Sequence, residues 1–241
     1  MSPGQRITGL SGILAGVGLA VEGALWATSG WTAETFDDAA AALAFLEANG
    51  TQLRSAVFAG AINLVLVTLF IVGLATRLGA TAPTRAAATL YFGIVGIAGH
   101  SLVPLGLWLG VPAFVDLAAS DPGAAAAAWS GYAAFQAAAG AVGALFLGLS
   151  TLAAGWAIVS QRGWPAPLGW LGVLTGAAGV VTVMAAETPL AVLAAGAYLP
   201  SLTLAIVFRV WAGIRLWRED AQPSAEPARP GDQATAPSLG S

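Results

Sequence analysis

The stretch Leu53–Thr76, LRSAVFAGAINLVLVTLFIVGLAT, decides the fold. Its one charged residue, Arg54, stands in the first turn, and Asn63 is the one strongly polar side chain after it. A hydrocarbon layer about 30 Å thick is crossed by about 20 apolar residues in a helix, and this run is longer than that. Working outward, five more stretches meet the same test: 7–27, 86–110, 129–159, 168–186 and 189–213. None alternates apolar and polar residues as a barrel strand does. The reading is an all-α, polytopic membrane bundle of six spans.

The whole chain agrees with that stretch. Of its 241 residues, 57% are hydrophobic and 9% charged, against about 25% charged in soluble domains. That balance excludes a water-soluble globule, a disordered chain and a basic nucleic-acid binder. There is no cysteine and only one histidine, His100, so disulfides, thiolate ligands and sites needing two imidazoles from one chain are excluded. Lysine is absent and every basic residue is an arginine.

Most connections between spans are short; Glu187-Thr188-Pro189 is a tight turn. Two are longer. Thr28–Gln52 carries Glu34, Asp37 and Asp38 and then an Ala-rich run, which reads as a short helix on the membrane surface. Val111–Ala128 carries Asp116 and Asp121. The spans form one domain over residues 1–218, and 219–241, rich in Pro, Ala, Gly and Ser, reads as a disordered cytoplasmic tail.

Charge gives the orientation. With six spans, Arg6, Arg77, Arg85, Arg162, Arg209, Arg215, Arg218 and Arg229 fall on one side, and Arg54 alone among the arginines on the other. Glu34, Asp37, Asp38, Glu47, Asp116, Asp121 and Glu187 join Arg54. Arginine-rich loops stay in the cytoplasm, so both termini are expected there, in the plasma membrane. Span one ends in Ala27-Thr28-Ser29, which resembles a leader cleavage site, but Glu22 interrupts its apolar core and favours a retained span. Tryptophans near span ends, Trp129 among them, read as an aromatic belt.

Small residues set the helix faces. Gly169, Gly172, Gly176 and Gly179 share one face of span five; Gly9, Gly12 and Gly16 share one on span one; Gly93, Gly96 and Gly99 recur on span three. Lipid gives helices no hydrophobic drive to associate, so close approach through such faces matters. They serve packing within the chain or a homo-oligomer.

Glu22, Asn63, His100 and Gln136 lie within spans, each on a small-residue face, with Arg54 at the edge of span two. All fall toward the carboxylate-bearing side. Counting along each span puts Glu22 and Gln136 roughly 7 Å below that boundary, and Asn63 and His100 about 15 Å below it. Two readings follow: the residues hydrogen-bond between helices as glue, or Glu22, Arg54, Asn63, His100 and Gln136 line a polar pocket in the outer half of the membrane. No nucleophile, base and metal ligands occur together, so no catalytic residue, metal site or cofactor is assigned.

The entry Arg6-Ile7-Thr8-Gly9-Leu10 and the run Trp164-Pro165-Ala166-Pro167-Leu168-Gly169-Trp170-Leu171-Gly172 resemble prokaryotic six-span membrane proteins grouped as a domain-of-unknown-function family. The resemblance implies a six-helix bundle and carries no activity and no functional residues. The expected function is a non-enzymatic bundle that binds a partner or lipid; the alternative is a small transporter or ligand-binding bundle using the polar pocket.

Overall fold

The computed structural model describes residues 3–186, 188 and 191–219, the side chains of 3–5, 33–34, 191–198 and 219 excepted. Among the described residues seven helices follow one another: α1 (Pro3–Thr28), α2 (Ala33–Asp37), α3 (Ala39–Gly79), α4 (Pro83–Ser120), α5 (Pro122–Val159), α6 (Ala166–Ala186) and α7 (Ala191–Glu219). All but α2 contain a segment long and apolar enough to cross a membrane, six in total. Glu187, Pro189, Arg229 and the tail from residue 220 lie outside the described residues.

The two long connections are mostly helix. The Ala-rich run does not form a separate surface helix. It continues unbroken into the apolar run, making α3 a 41-residue helix, about 60 Å long. Asp38 starts it by accepting the backbone N–H groups of Ala40 and Ala41, which satisfies donors no helix can satisfy itself. Likewise α4 continues through Pro112 to Ser120. Asp121 then closes one helix and opens the next, accepting from the Ala124 N–H at 3.0 Å with Pro122 in the first turn. Alanine carries these extensions because it forms helix well without needing a lipid-facing or core-facing partner.

Helices adjacent in sequence are adjacent in space, and α7 returns to α1, so α1, α3, α4, α5, α6 and α7 form a closed ring. One end of the ring carries Arg6, Arg77, Arg85, Arg162, Arg215 and Arg218, and is called the basic end below. The other carries Asp37, Asp38, Glu47, Asp116 and Asp121, the acidic end. Arg209 is a correction to the charge count: it sits ten residues before the end of α7, about 15 Å from it, and so lies inside the bundle.

The glycine faces meet neighbours within the chain. A methyl group at Gly213 of α7 would come 2.6 Å from the Ile13 nitrogen and 2.7 Å from the Gly9 oxygen of α1. At Gly155 of α5 it would come 2.6 Å from the Gly172 carbonyl carbon of α6. Gly99 of α4 meets Gly143 of α5. Helices this close gain dispersion contacts along their full backbones.

Two packed clusters result. One fills the basic half with Phe70, Leu74, Leu78, Ile158, Trp164, Leu168, Phe208 and Leu216. The other stands at the acidic end, around Leu46, Leu53, Val57, Leu107, Val111 and Trp129. Trp129 is completely buried, a correction to its place in the aromatic belt. Its indole Nε1 donates to the Phe36 carbonyl at 3.1 Å, and its ring meets Trp31, Phe36 and Phe114 edge-on. That network fastens α2 over the end of the ring.

In a helix interior Gly→Ala ordinarily gains about 1 kcal/mol. Gly155→Ala is expected to destabilise by about 1–3 kcal/mol instead, because backbone blocks the new methyl. Gly131→Ala, where nothing lies within 4 Å of the added carbon, should be neutral or stabilising. Thermal unfolding of both variants in detergent checks the contrast.

Candidate functional site

Between the two packed clusters lies a cavity of about 770 Å³. Five of the six ring helices wall it, α6 being the exception. Leu19, Leu64, Val67, Val103, Leu147 and Leu202 give it an apolar surface. Trp26, Trp31 and Phe36 border it toward the acidic end, under the α2 cap. Four strongly polar residues reach it from four different helices: Glu22 from α1, Asn63 from α3, His100 from α4 and Arg209 from α7. Below Arg209 a much smaller pocket, about 20 Å³, ends against Phe70, Leu74 and Phe208 of the packed basic half.

The polar groups are held differently. Asn63 Nδ2 donates to Glu22 Oε2 at 3.0 Å, tying α1 to α3. Glycine makes room for both: a methyl at Gly60 would come 2.6 Å from Glu22 Oε1, and one at Gly18 would come 3.1 Å from Asn63 Oδ1. Residue counting places Glu22 and Asn63 about 8 Å apart in depth, yet they meet, because α3 starts 14 residues before its apolar run and the span boundaries are not level. His100 Nδ1 is buried without a hydrogen-bond partner. The close approach of Gly143 to the His100 backbone, 2.5 Å for an added methyl, holds α4 directly against α5 at that position. Arg209 acts electrostatically on both Glu22 and His100.

Two of the five expected pocket residues lie elsewhere. Arg54 stacks over Trp108, its guanidinium carbon 4.7 Å from the ring centroid. It borders a separate recess of about 630 Å³ between α3 and α4, with Glu47 and Asp116. A helix turns 100° per residue, and position 54 shares no face with position 63. Gln136 is buried between α4 and α5, where its Nε2 donates to the Leu102 and Val103 carbonyls, each at 3.2 Å, and to Tyr132 Oη. It acts as glue beside Pro104.

Arg209 is the cavity-lining residue that reading the sequence does not single out. Its signal was present: it falls inside the sixth apolar run, with Leu202–Phe208 before it and Val210–Ile214 after it. Ser101 gives His100 no catalytic companion, since its hydroxyl donates to Ala98 O of its own helix. Among the described residues, no group of three His, Cys, Asp or Glu could hold a metal ion.

Fold and cavity together define an all-helical bundle of six membrane-length helices, five of which wall a polar-floored cavity. The family model described as a domain of unknown function (DUF4386) matches residues 7–216, and the chain belongs to that family. No curated protein and no solved structure matches it.

Asn63→Leu removes the side-chain donor to Glu22 and is expected to destabilise by about 1–3 kcal/mol. Gln136→Leu should cost less, about 1 kcal/mol, because, of the three groups it releases, the two backbone carbonyls keep their helical bonds and the Tyr132 hydroxyl is free to rotate to another acceptor. Chemical unfolding of the two variants in mixed micelles gives the order.

Proposed function

We propose that this chain is a plasma-membrane protein, both termini cytoplasmic, that binds a small amphipathic molecule in the cavity between α1, α3, α4, α5 and α7. One observation carries the reading: Glu22, Asn63, His100 and Arg209 stand around an open volume instead of plugging one another. Ligand sites typically enclose about 300–1,000 Å³, with apolar walls and a few convergent polar groups. This cavity fits that description. Ionisable side chains inside a membrane are costly, and their usual return is function.

The arginines support the orientation: six described ones gather at the basic end, which the positive-inside rule assigns to the cytoplasm. The cavity then belongs to the outer half. Packing below Arg209 favours holding a ligand over passing it through, since the basic half is filled by large side chains. The role is non-catalytic: binding of a lipid-like molecule, without a chemical step. A homo-oligomer would have to use faces other than the glycine stripes, which neighbouring helices already cover.

Photo-crosslinking with an alkyl diazirine in lipid nanodiscs tests the site. Labelled peptides should include Leu19, Leu64, Leu147 or Leu202, and Ala144→Phe, which puts a ring into the cavity, should abolish that labelling. Labels confined to lipid-facing positions such as Val65 and Leu109, unchanged by Ala144→Phe, would contradict it. A reporter fused after Arg218 should be reachable from the cytoplasm alone; reactivity from outside only would overturn the orientation.

A further inference from the structure

We infer that the ligand carries a carboxylate head, seated on Arg209 and His100, and an apolar tail that fills the rest of the cavity. This rests on the ligand-binding reading above and specifies its chemistry.

Donors and acceptors are unequal at the cavity floor. Arginine presents five N–H donors and accepts nothing. Arg209 makes no hydrogen bond to any described group, and no direct ion pair joins it to Glu22; the two interact only through space. Glu22 is turned aside toward α3: Oε2 accepts from Asn63, and Oε1 lies over Gly60. It is therefore poorly placed to serve as the acceptor for Arg209. His100 adds a second polar group without a partner, its Nδ1 being buried and unbonded. Two oxygens on the floor lack a donor, the buried Asn63 Oδ1 and Glu22 Oε1; against the five N–H groups of Arg209 they still leave an excess of donors, in a region where unmet polar groups are expensive.

A head group with two acceptor oxygens answers that excess. A carboxylate matches the guanidinium fork with two parallel N–H···O bonds, and its remaining lone pairs can accept from the imidazole. An ammonium head would bring further donors and a second positive charge beside Arg209, and the carboxylate that would have to receive it, Glu22, already accepts from Asn63. An alcohol supplies one acceptor oxygen where the fork takes two. The walls determine the rest: Leu19, Leu64, Val67, Leu147, Leu199 and Leu202 provide an aliphatic lining that a short polar acid would leave uncovered. A long-chain fatty acid has both parts.

The test uses the full chain in phosphatidylcholine nanodiscs. Bound diazirine-bearing hexadecanoic acid is crosslinked in the presence of unlabelled hexadecanoic acid, hexadecanol, hexadecylamine or hexanoate. The acid should compete at least about tenfold better than the alcohol or the amine, the gain of one charge-assisted hydrogen bond or more. Hexanoate, a head with little tail, should compete weakly. Arg209→Gln should erase the preference for the acid. Arg209→Lys, which keeps the charge and loses the fork, should retain part of it and serves if the glutamine variant does not fold. Equal competition by alcohol or amine in the unmodified protein would overturn the carboxylate head, while a block of all three by Ala144→Phe would keep the cavity reading. Crosslinking that Ala144→Phe leaves untouched would overturn both.

Discussion

A carboxylate placed within a lipid-spanning helix needs donors from another helix, and in this bundle the donor to Glu22 is Asn63. That single bond sets the rotation of α1 against α3. It also explains why glycine stands at positions 18 and 60, since a side chain at either would collide with the pair. With Glu22 turned toward α3, Arg209 on α7 and His100 on α4 flank the pair from either side, and the space they border is the cavity.

The cavity exists because packing is unequal along the helices. The glycines of α1 that touch α7, at positions 9, 12 and 16, all lie in the basic half, where backbones meet directly. Farther on, Gly23 meets only the tip of Leu202, at 3.6 Å for an added methyl. Large side chains fill the basic half, and an aromatic cluster around Trp129 closes the acidic end. Between them the polar residues prevent a purely apolar core from forming, because burying any of them against leucine would leave donors unmet. A bundle tight at both ends and hollow in the middle is the result.

Much of this was legible in the sequence, for physical reasons. The length and apolarity of the runs gave all six membrane-length helices, and the glycine spacing gave their contact faces. Asn63, Glu22 and His100 stood out because polar groups are rare in such runs. Three things were hidden. Alanine favours helix both in and out of a membrane, so the extensions of α3, α4 and α5 could not be told from connections by apolarity alone. Gln136 occupies a face whose neighbours depend on helix rotation, which spacing within one helix does not determine, whereas the nine-residue spacing that parts Arg54 from Asn63 is written in the sequence. Arg209 was grouped with the arginines at the end of α7 because charge was assigned by loop, although it lies well within an apolar run. Depth estimates failed for a related reason: helices that start at different heights have no common zero.

The central claim is that the bundle is hollow beside Glu22, Asn63, His100 and Arg209. Because the chain contains no cysteine, single cysteines report accessibility without background. Ala144 lines the cavity, and Ala157, on the same helix, is completely buried in the basic half. In membranes stripped of free fatty acid, a small thiol-reactive methanethiosulfonate should modify Ala144→Cys and leave Ala157→Cys intact until the protein is unfolded. Equal protection of both cysteines would mean the polar residues plug one another and the cavity is closed.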